Sequence, residues 1–130
     1  MEMEILFGGG MKVDAAFNGF VVKTDQAVDS GGEGTAPEPF AYYLASMGTC
    51  TALYVQGFCE ARNIPTEGLR LTQSAVWDED KKRLAQVRLE IHLPPEFPEK
   101  YHKAVVRTAG TCAVKKSILD PPEFIIEVAE

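Results

Sequence analysis

From Pro39 to Cys59, PFAYYLASMGTCTALYVQGFC, no residue carries a formal charge. The stretch is long enough to cross a bilayer as a helix. Ser46, Gly48, Thr49, Thr51, Gln56 and Gly57 interrupt it, however, and its flanks (Glu33 and Glu38 before, Glu60 and Arg62 after) show no Lys/Arg asymmetry, which argues against a membrane span. In water, a helix uncharged all round has to be covered on every side, by a sheet on one face and by something else on the other. In a chain of 130 residues a second copy is the natural supplier of that cover. With 45% hydrophobic and 25% charged residues the composition is globular, and the length sets one domain over residues 1–130. Thirteen Lys+Arg against nineteen Asp+Glu leave a net charge of −6, so the basic stripe that nucleic acid or an anionic membrane surface requires is missing, and neither is expected as a partner. The acidic start MEMEILFGGG has only a short apolar run and does not read as a secretory signal; three cysteines are then expected to be reduced thiols in the cytoplasm.

Around this helix the pattern is that of strands. Met3, Ile5 and Phe7, then Met11, Val13, Ala15 and Phe17, alternate with polar residues on either side of Gly8-Gly9-Gly10 and predict a β-hairpin. Asn18-Gly19 is a two-residue hairpin signal leading into Phe20-Val21-Val22, so the first third is a three-stranded meander. Residues 24–38 form a polar, Gly-rich loop long enough to be either a mobile cover or a segment ordered by a partner. Pro39 suits the first turn of the helix, which is expected to end near Arg62-Asn63, before Ile64-Pro65. Leu69, Leu71, Gln73, Ala75 and Trp77 share one strand face. After a turn at Asp78–Lys82, Val87, Leu89, Ile91 and Leu93 share another, with Leu84 just out of phase. Pro98 opens a helix that a Gly closes, Thr111 is a candidate cap for a short helix CAVKKSIL, and PEFIIEVAE reads as an edge strand. The order βββ-α-ββ-αα-β is α+β.

Few groups in this chain can do chemistry. His92 and His102 with Cys50, Cys59 and Cys112 show no metal-ligand spacing, and no phosphate-binding glycine motif is present, so neither a metal nor a cofactor is expected. Both histidines fall on polar sides of their elements and read as solvated. Cys50 lies mid-helix in Gly48-Thr49-Cys50-Thr51-Ala52, where small neighbours let backbone or substrate approach the sulfur. On residue type alone, a packed core cysteine and a reactive thiol both remain open. Cys59 is nine residues on, about 180° around the helix, and reads as structural. Cys112 opens a short helix, with Lys115 and Lys116 three and four residues later, and is the thiol whose local sequence best favours a thiolate.

The meander, the Gly-rich loop, a long helix with Pro39 and MGTCT at 47–51, a strand hairpin and the late CAVKKSI at 112–118 together resemble the OsmC/Ohr family of osmotically inducible and organic hydroperoxide resistance proteins. The resemblance implies an OsmC-like fold, with antiparallel sheets around long central helices in an intertwined homodimer. It implies that Cys50 attacks a small hydrophobic peroxide as a thiolate and becomes a sulfenic acid, that Cys112 condenses with it to a disulfide, and that a dithiol reductant reopens that bond. Phe40 and Met47 are then the candidate substrate contacts. The family's efficient peroxidases carry a Glu just after the helix Pro and an Arg in the N-terminal sheet region. Here Phe40 and Ala41 follow Pro39, and no Arg precedes Arg62, so the resemblance implies weak peroxide reduction. The alternative is a non-enzymic member that binds a small hydrophobic or electrophilic ligand in an apolar interface pocket.

Overall fold

The computed structural model describes residues Met1–Glu130, which divide into two units, Met1–Ala45 and Ser46–Glu130. In the first, β1 (Glu4–Phe7), β2 (Val13–Phe17) and β3 (Phe20–Thr24) form the antiparallel meander expected from the alternation. Ile5 pairs with Ala15, and Phe17 with Phe20. The tight β2–β3 turn puts both Asn18 (φ 48°) and Gly19 (φ 80°) in the left-handed region, the conformation that matches the twist of a hairpin and that Asn-Gly adopts at little cost. Burial does not follow the alternation: Ile5, Phe7, Phe20 and Val21 are all exposed in the single chain.

The Gly-rich loop behaves differently from either expectation, because the chain orders it from within. Asp25 is only 1% exposed. Its carboxylate accepts the backbone N–H groups of Gln26 (2.8 Å), Glu33 (3.3 Å) and Thr35 (3.0 Å) and the Thr35 hydroxyl (2.7 Å). A Cβ at residue 32 would lie 2.1 Å from the Gln26 carbonyl oxygen, so only glycine lets the chain fold back this tightly. Lys12 Nζ pins the outer side of the loop to Glu33 at 2.7 Å. A carboxylate that receives this many donors favours its charged form, and the Thr35 hydroxyl and N–H, with the Gln26 N–H, hold Asp25 down at about 2.

Helix α1 (Pro39–Ala61) starts in the first unit and runs on into the second, with Pro at its first position as expected. It stops where Asn63 turns left-handed (φ 53°) and the Ile64 N–H returns to the Cys59 carbonyl at 2.9 Å. Within the second unit its buried residues are Met47, Thr51, Val55, Phe58 and Cys59, a stripe at helical spacing. Leu53 is 63% exposed, and Gln56 and Gly57 are exposed beside it, so the opposite, equally uncharged face has no cover in the single chain.

Strands β4 (Arg70–Asp78) and β5 (Arg83–His92) form a two-stranded antiparallel sheet. Leu71, Gln73, Ala75 and Trp77 pair with Ile91, Leu89, Val87 and Leu84. A register shift at Val76/Trp77 leaves Ala85 as an extra residue, and this bulge brings Leu84 back onto the common face, which explains why it looked out of phase in the sequence. The turn is closed by the Asp78 carboxylate, which accepts the Asp80 and Lys81 N–H groups at 3.0 Å. Two strands alone are marginal. Here Leu69, Ile91 and Leu93 pack on a core of Val55, Phe58, Cys59, Phe97, Val105 and Ala109.

After a single 3-10 turn at Glu99–Tyr101 come α2 (His102–Ala109) and α3 (Ala113–Leu119). Phe58 meets Tyr101 edge to face at 5.7 Å, and the Arg62 guanidinium sits 3.6 Å over the Phe58 ring. Two expectations are corrected. Thr111 does not cap α3; its hydroxyl turns back to the Thr108 carbonyl at 2.7 Å, and Cys112 is the cap. Residues 121–130 form no strand: they pair with neither sheet, and Phe124 (80%), Ile126 (95%) and Val128 (93%) stay exposed. Alternation makes a segment suited to a sheet, but strand structure needs a neighbour to bond with.

Phe58→Ala is expected to lower unfolding stability by about 3–5 kcal/mol, as large-to-small changes in a packed core do, measured by urea denaturation. The Asp25 carboxyl is more acidic folded than its ordinary 3.8. Its stabilisation of the loop is therefore full above about pH 4 and is lost as pH falls toward 2. Amide exchange at Gln26, Glu33 and Thr35 is expected to accelerate over that window, and Asp25→Asn is expected to show the fast exchange already at neutral pH.

Candidate active site

Helix α1 and the α2–α3 corner bring two thiols together in the second unit. Cys112 has extended backbone dihedrals (φ −60°, ψ 146°) and occupies the cap position of α3, with its sulfur turned inward and 1% exposed. Sγ accepts the Lys115 N–H at 3.4 Å and lies 3.6 Å from the Thr51 hydroxyl of α1. Cys50, one residue before Thr51, is half-buried and lies 4.2 Å from Cys112 with no bond between them.

Thr51 itself is buried, and its Oγ1 is also 2.7 Å from the Met47 carbonyl one turn earlier. Close packing on this part of α1 comes from Gly48: a Cβ there would fall 2.6 Å from Gln73 Oε1 and 3.8 Å from Leu89. The small residues flanking Cys50 thus let β4 and β5 press against the helix.

The electrostatics separate the two buried thiols. For Cys112, burial raises the pKa, but the Lys115 N–H, the Thr51 hydroxyl, the Cys50 thiol and the Lys115 charge all favour the thiolate, and the net direction is downward. Of the two lysines that follow, Lys115 supplies this help, through both its N–H and its charge. For Cys59, burial pushes the thiol up against only the opposing Arg62 charge. Cys59 is 0% exposed in the core with Val55 and Phe58, as a structural thiol should be.

The structure therefore brings Cys50 close to Cys112, and the Thr51 hydroxyl links Cys112 to the Met47 carbonyl. Phe40 belongs to the first unit, where its ring tilts against Tyr43 at 5.3 Å. Thr51 was quoted in the sequence without a role; only the fold shows that it faces Cys112. Within the first unit Glu38 takes the Ala27 N–H at 3.4 Å, Lys12 pairs with Glu33, and the Lys23 backbone carbonyl accepts the Tyr42 hydroxyl at 2.7 Å. His92 Nε2 meets the Thr72 hydroxyl at 2.9 Å, and His102 tilts against Phe97. No group of three or more metal-ligating side chains lies together, and no helix is long and apolar enough to cross a membrane.

A pair of close thiols, one poised as thiolate, can transfer two electrons to an electrophile by passing through a disulfide. Thiolate absorbance near 240 nm in the native protein is expected to rise in one step below the ordinary thiol value of 9.0. Cys112→Ser is expected to remove that step.

Comparison with known proteins places this geometry in context. The family model described as OsmC-like protein matches residues 32–127. No curated protein matches the chain in sequence. Among solved structures, a protein from Psychrobacter arcticus 273-4 ascribed to osmotic stress induction and detoxification response superposes with a TM-score of 0.77 at 25% identity, over 88% of this chain and 85% of that one. An OsmC-like protein from Mycoplasma pneumoniae gives 0.74 at 13% identity, over 92% and 87%. An organic hydroperoxide resistance protein OsmC from Legionella pneumophila gives 0.62 at 20% identity, over 91% and 89%.

Proposed function

Because the chain belongs to the OsmC-like protein family, we propose that it is a thiol-dependent reductase of small organic hydroperoxides, working through Cys50 and Cys112 in the cytoplasm. The observation that carries this reading is the approach of the two free thiols to 4.2 Å with the Cys112 sulfur held as an acceptor. Cys50, the more exposed of the two, attacks the outer peroxide oxygen; the O–O bond breaks, an alcohol leaves and a sulfenic acid remains. Cys112 then displaces water from that sulfenic acid. Closing to a disulfide length of about 2 Å requires a shift of roughly 2 Å. An external dithiol returns both sulfurs to thiols. Met47, buried and three residues before Cys50 on α1, is in this reading the apolar contact for an alkyl or aryl peroxide. Turnover is slow in this reading, since neither an Arg nor a Glu is placed as in the family's efficient members.

The working form in this proposal is a homodimer. Two uncovered features support it: the uncharged α1 face at Leu53, Gln56 and Gly57, and the exposed Phe124–Val128 segment, which has strand character but pairs with no strand of its own chain. A second copy supplies both a helix face and a sheet edge.

Stoichiometric cumene hydroperoxide is expected to yield a Cys50–Cys112 disulfide by peptide mass spectrometry, and catalytic consumption of peroxide with dithiothreitol is expected to vanish in Cys50→Ser. Peroxide-treated protein that keeps three titratable thiols would overturn the reading and favour the ligand-binding alternative.

A further inference from the structure

Attack on a peroxide needs an unprotonated Cys50, and the groups that prepare such a thiolate in the family's efficient members are missing from this chain. Cys50 sits mid-helix, with its own N–H committed to the carbonyl four residues earlier, so α1 offers it no free backbone donor. Cys112 lies 4.2 Å away, and the Cys50 thiol acts as a donor toward it. The Cys112 sulfur is in turn fixed by the Lys115 N–H from one side and Thr51 from the other.

We propose that Cys112 is the base that takes the Cys50 proton during attack, with Thr51 as the positioning residue that holds the Cys112 anion. This deepens the peroxidase reading and rests on it. Thr51 is suited to the task because a hydroxyl has one proton and two acceptor sites. Its Oγ1 has two partners, the Met47 carbonyl at 2.7 Å and the Cys112 sulfur at 3.6 Å. While Cys112 is a thiol, the Thr51 proton serves Met47 and the Cys112 S–H points to Thr51 Oγ1. When Cys112 is a thiolate, the hydroxyl rotates to donate to sulfur. The Met47 carbonyl keeps the helical Thr51 N–H, so the exchange leaves no buried acceptor orphaned.

The cycle balances. The Cys50 proton passes to the Cys112 thiolate as Cys50 sulfur attacks the outer oxygen of ROOH. The O–O bond breaks, and the departing RO⁻ takes the proton from Cys112 and leaves as ROH. Cys112, again a thiolate, attacks the sulfenic sulfur of Cys50; hydroxide leaves, is protonated by solvent, and the S–S bond forms. The two sulfurs lose the two electrons that the peroxide gains, and an external dithiol restores them. One sulfur thus serves in turn as base, acid and nucleophile.

A merely resolving Cys112 would leave the first step untouched, which separates the two roles. Cys112→Ser keeps a good helix cap but removes the base. Alkylation of Cys50 by iodoacetamide, followed residue by residue by mass spectrometry across pH, reads its activation without any peroxide. In Cys112→Ser the Cys50 rate at pH 7 is expected to fall about tenfold, because the proton acceptor 4.2 Å from Cys50 is gone. Thr51→Val is expected to lower the rate by a smaller amount, and Thr51→Ser to restore it, which a loss of packing alone would not do. Equal Cys50 rates in wild type and Cys112→Ser would overturn the proposal. So would a Thr51→Ser variant as slow as Thr51→Val. If alkylation behaves as expected while cumene hydroperoxide leaves Cys50 intact, the proton transfer stands and the peroxide is the wrong electrophile.

Discussion

Everything in the second unit depends on burying one face of an uncharged helix. Met47, Thr51, Val55, Phe58 and Cys59 lie along α1 at three- and four-residue steps, and the strands and later helices assemble on that stripe. The same packing dictates the chemistry. Thr51 and the neighbouring Cys50 belong to the turns of α1 that the α2–α3 corner meets, so the groups that contact Cys112 come from the packed stripe itself. A thiol buried with only aliphatic and aromatic neighbours is held protonated, as Cys59 is. Three donors and a lysine charge reverse the direction at Cys112, although it is as deeply buried. Burial by itself therefore does not decide reactivity in this protein; the donors around the sulfur do.

The first unit is organised by a different kind of group. Asp25 takes several donors from a loop whose composition suggests flexibility, and it does so in a fold-back that only Gly32 permits. A polar loop with three glycines is easily read as mobile or as waiting for a partner. The missing information was that a single buried carboxylate can satisfy the turn amides of a whole loop, an arrangement that depends on where the chain doubles back and not on local propensity.

Much of the architecture was legible because it rests on local rules. The Asn18-Gly19 turn, Pro39 at the start of α1 and the alternation of β4 and β5 are each written in residue type and period. Even Leu84, which breaks the alternation, was a readable sign of the bulge that restores it. The errors arose where a second partner was needed. The 121–130 segment has the right pattern for an edge strand but pairs with neither sheet. Thr111 has the right side chain for a cap, but the neighbouring carbonyl of Thr108 claims its hydroxyl and leaves the position to Cys112.

Residue order alone determined that this chain contains an uncharged central helix, three cysteines and an acidic charge balance, because charge, period and turn chemistry are carried by short stretches of neighbours. It also singled out Cys50 and Cys112 through the motifs around them. Only the tertiary structure decided that these two meet, that Thr51 is the hydroxyl facing the second of them, and that Cys59 is sealed in the core. Contacts between distant segments are set by how whole faces pack, and no local pattern encodes which atom of one face will fall opposite which atom of another.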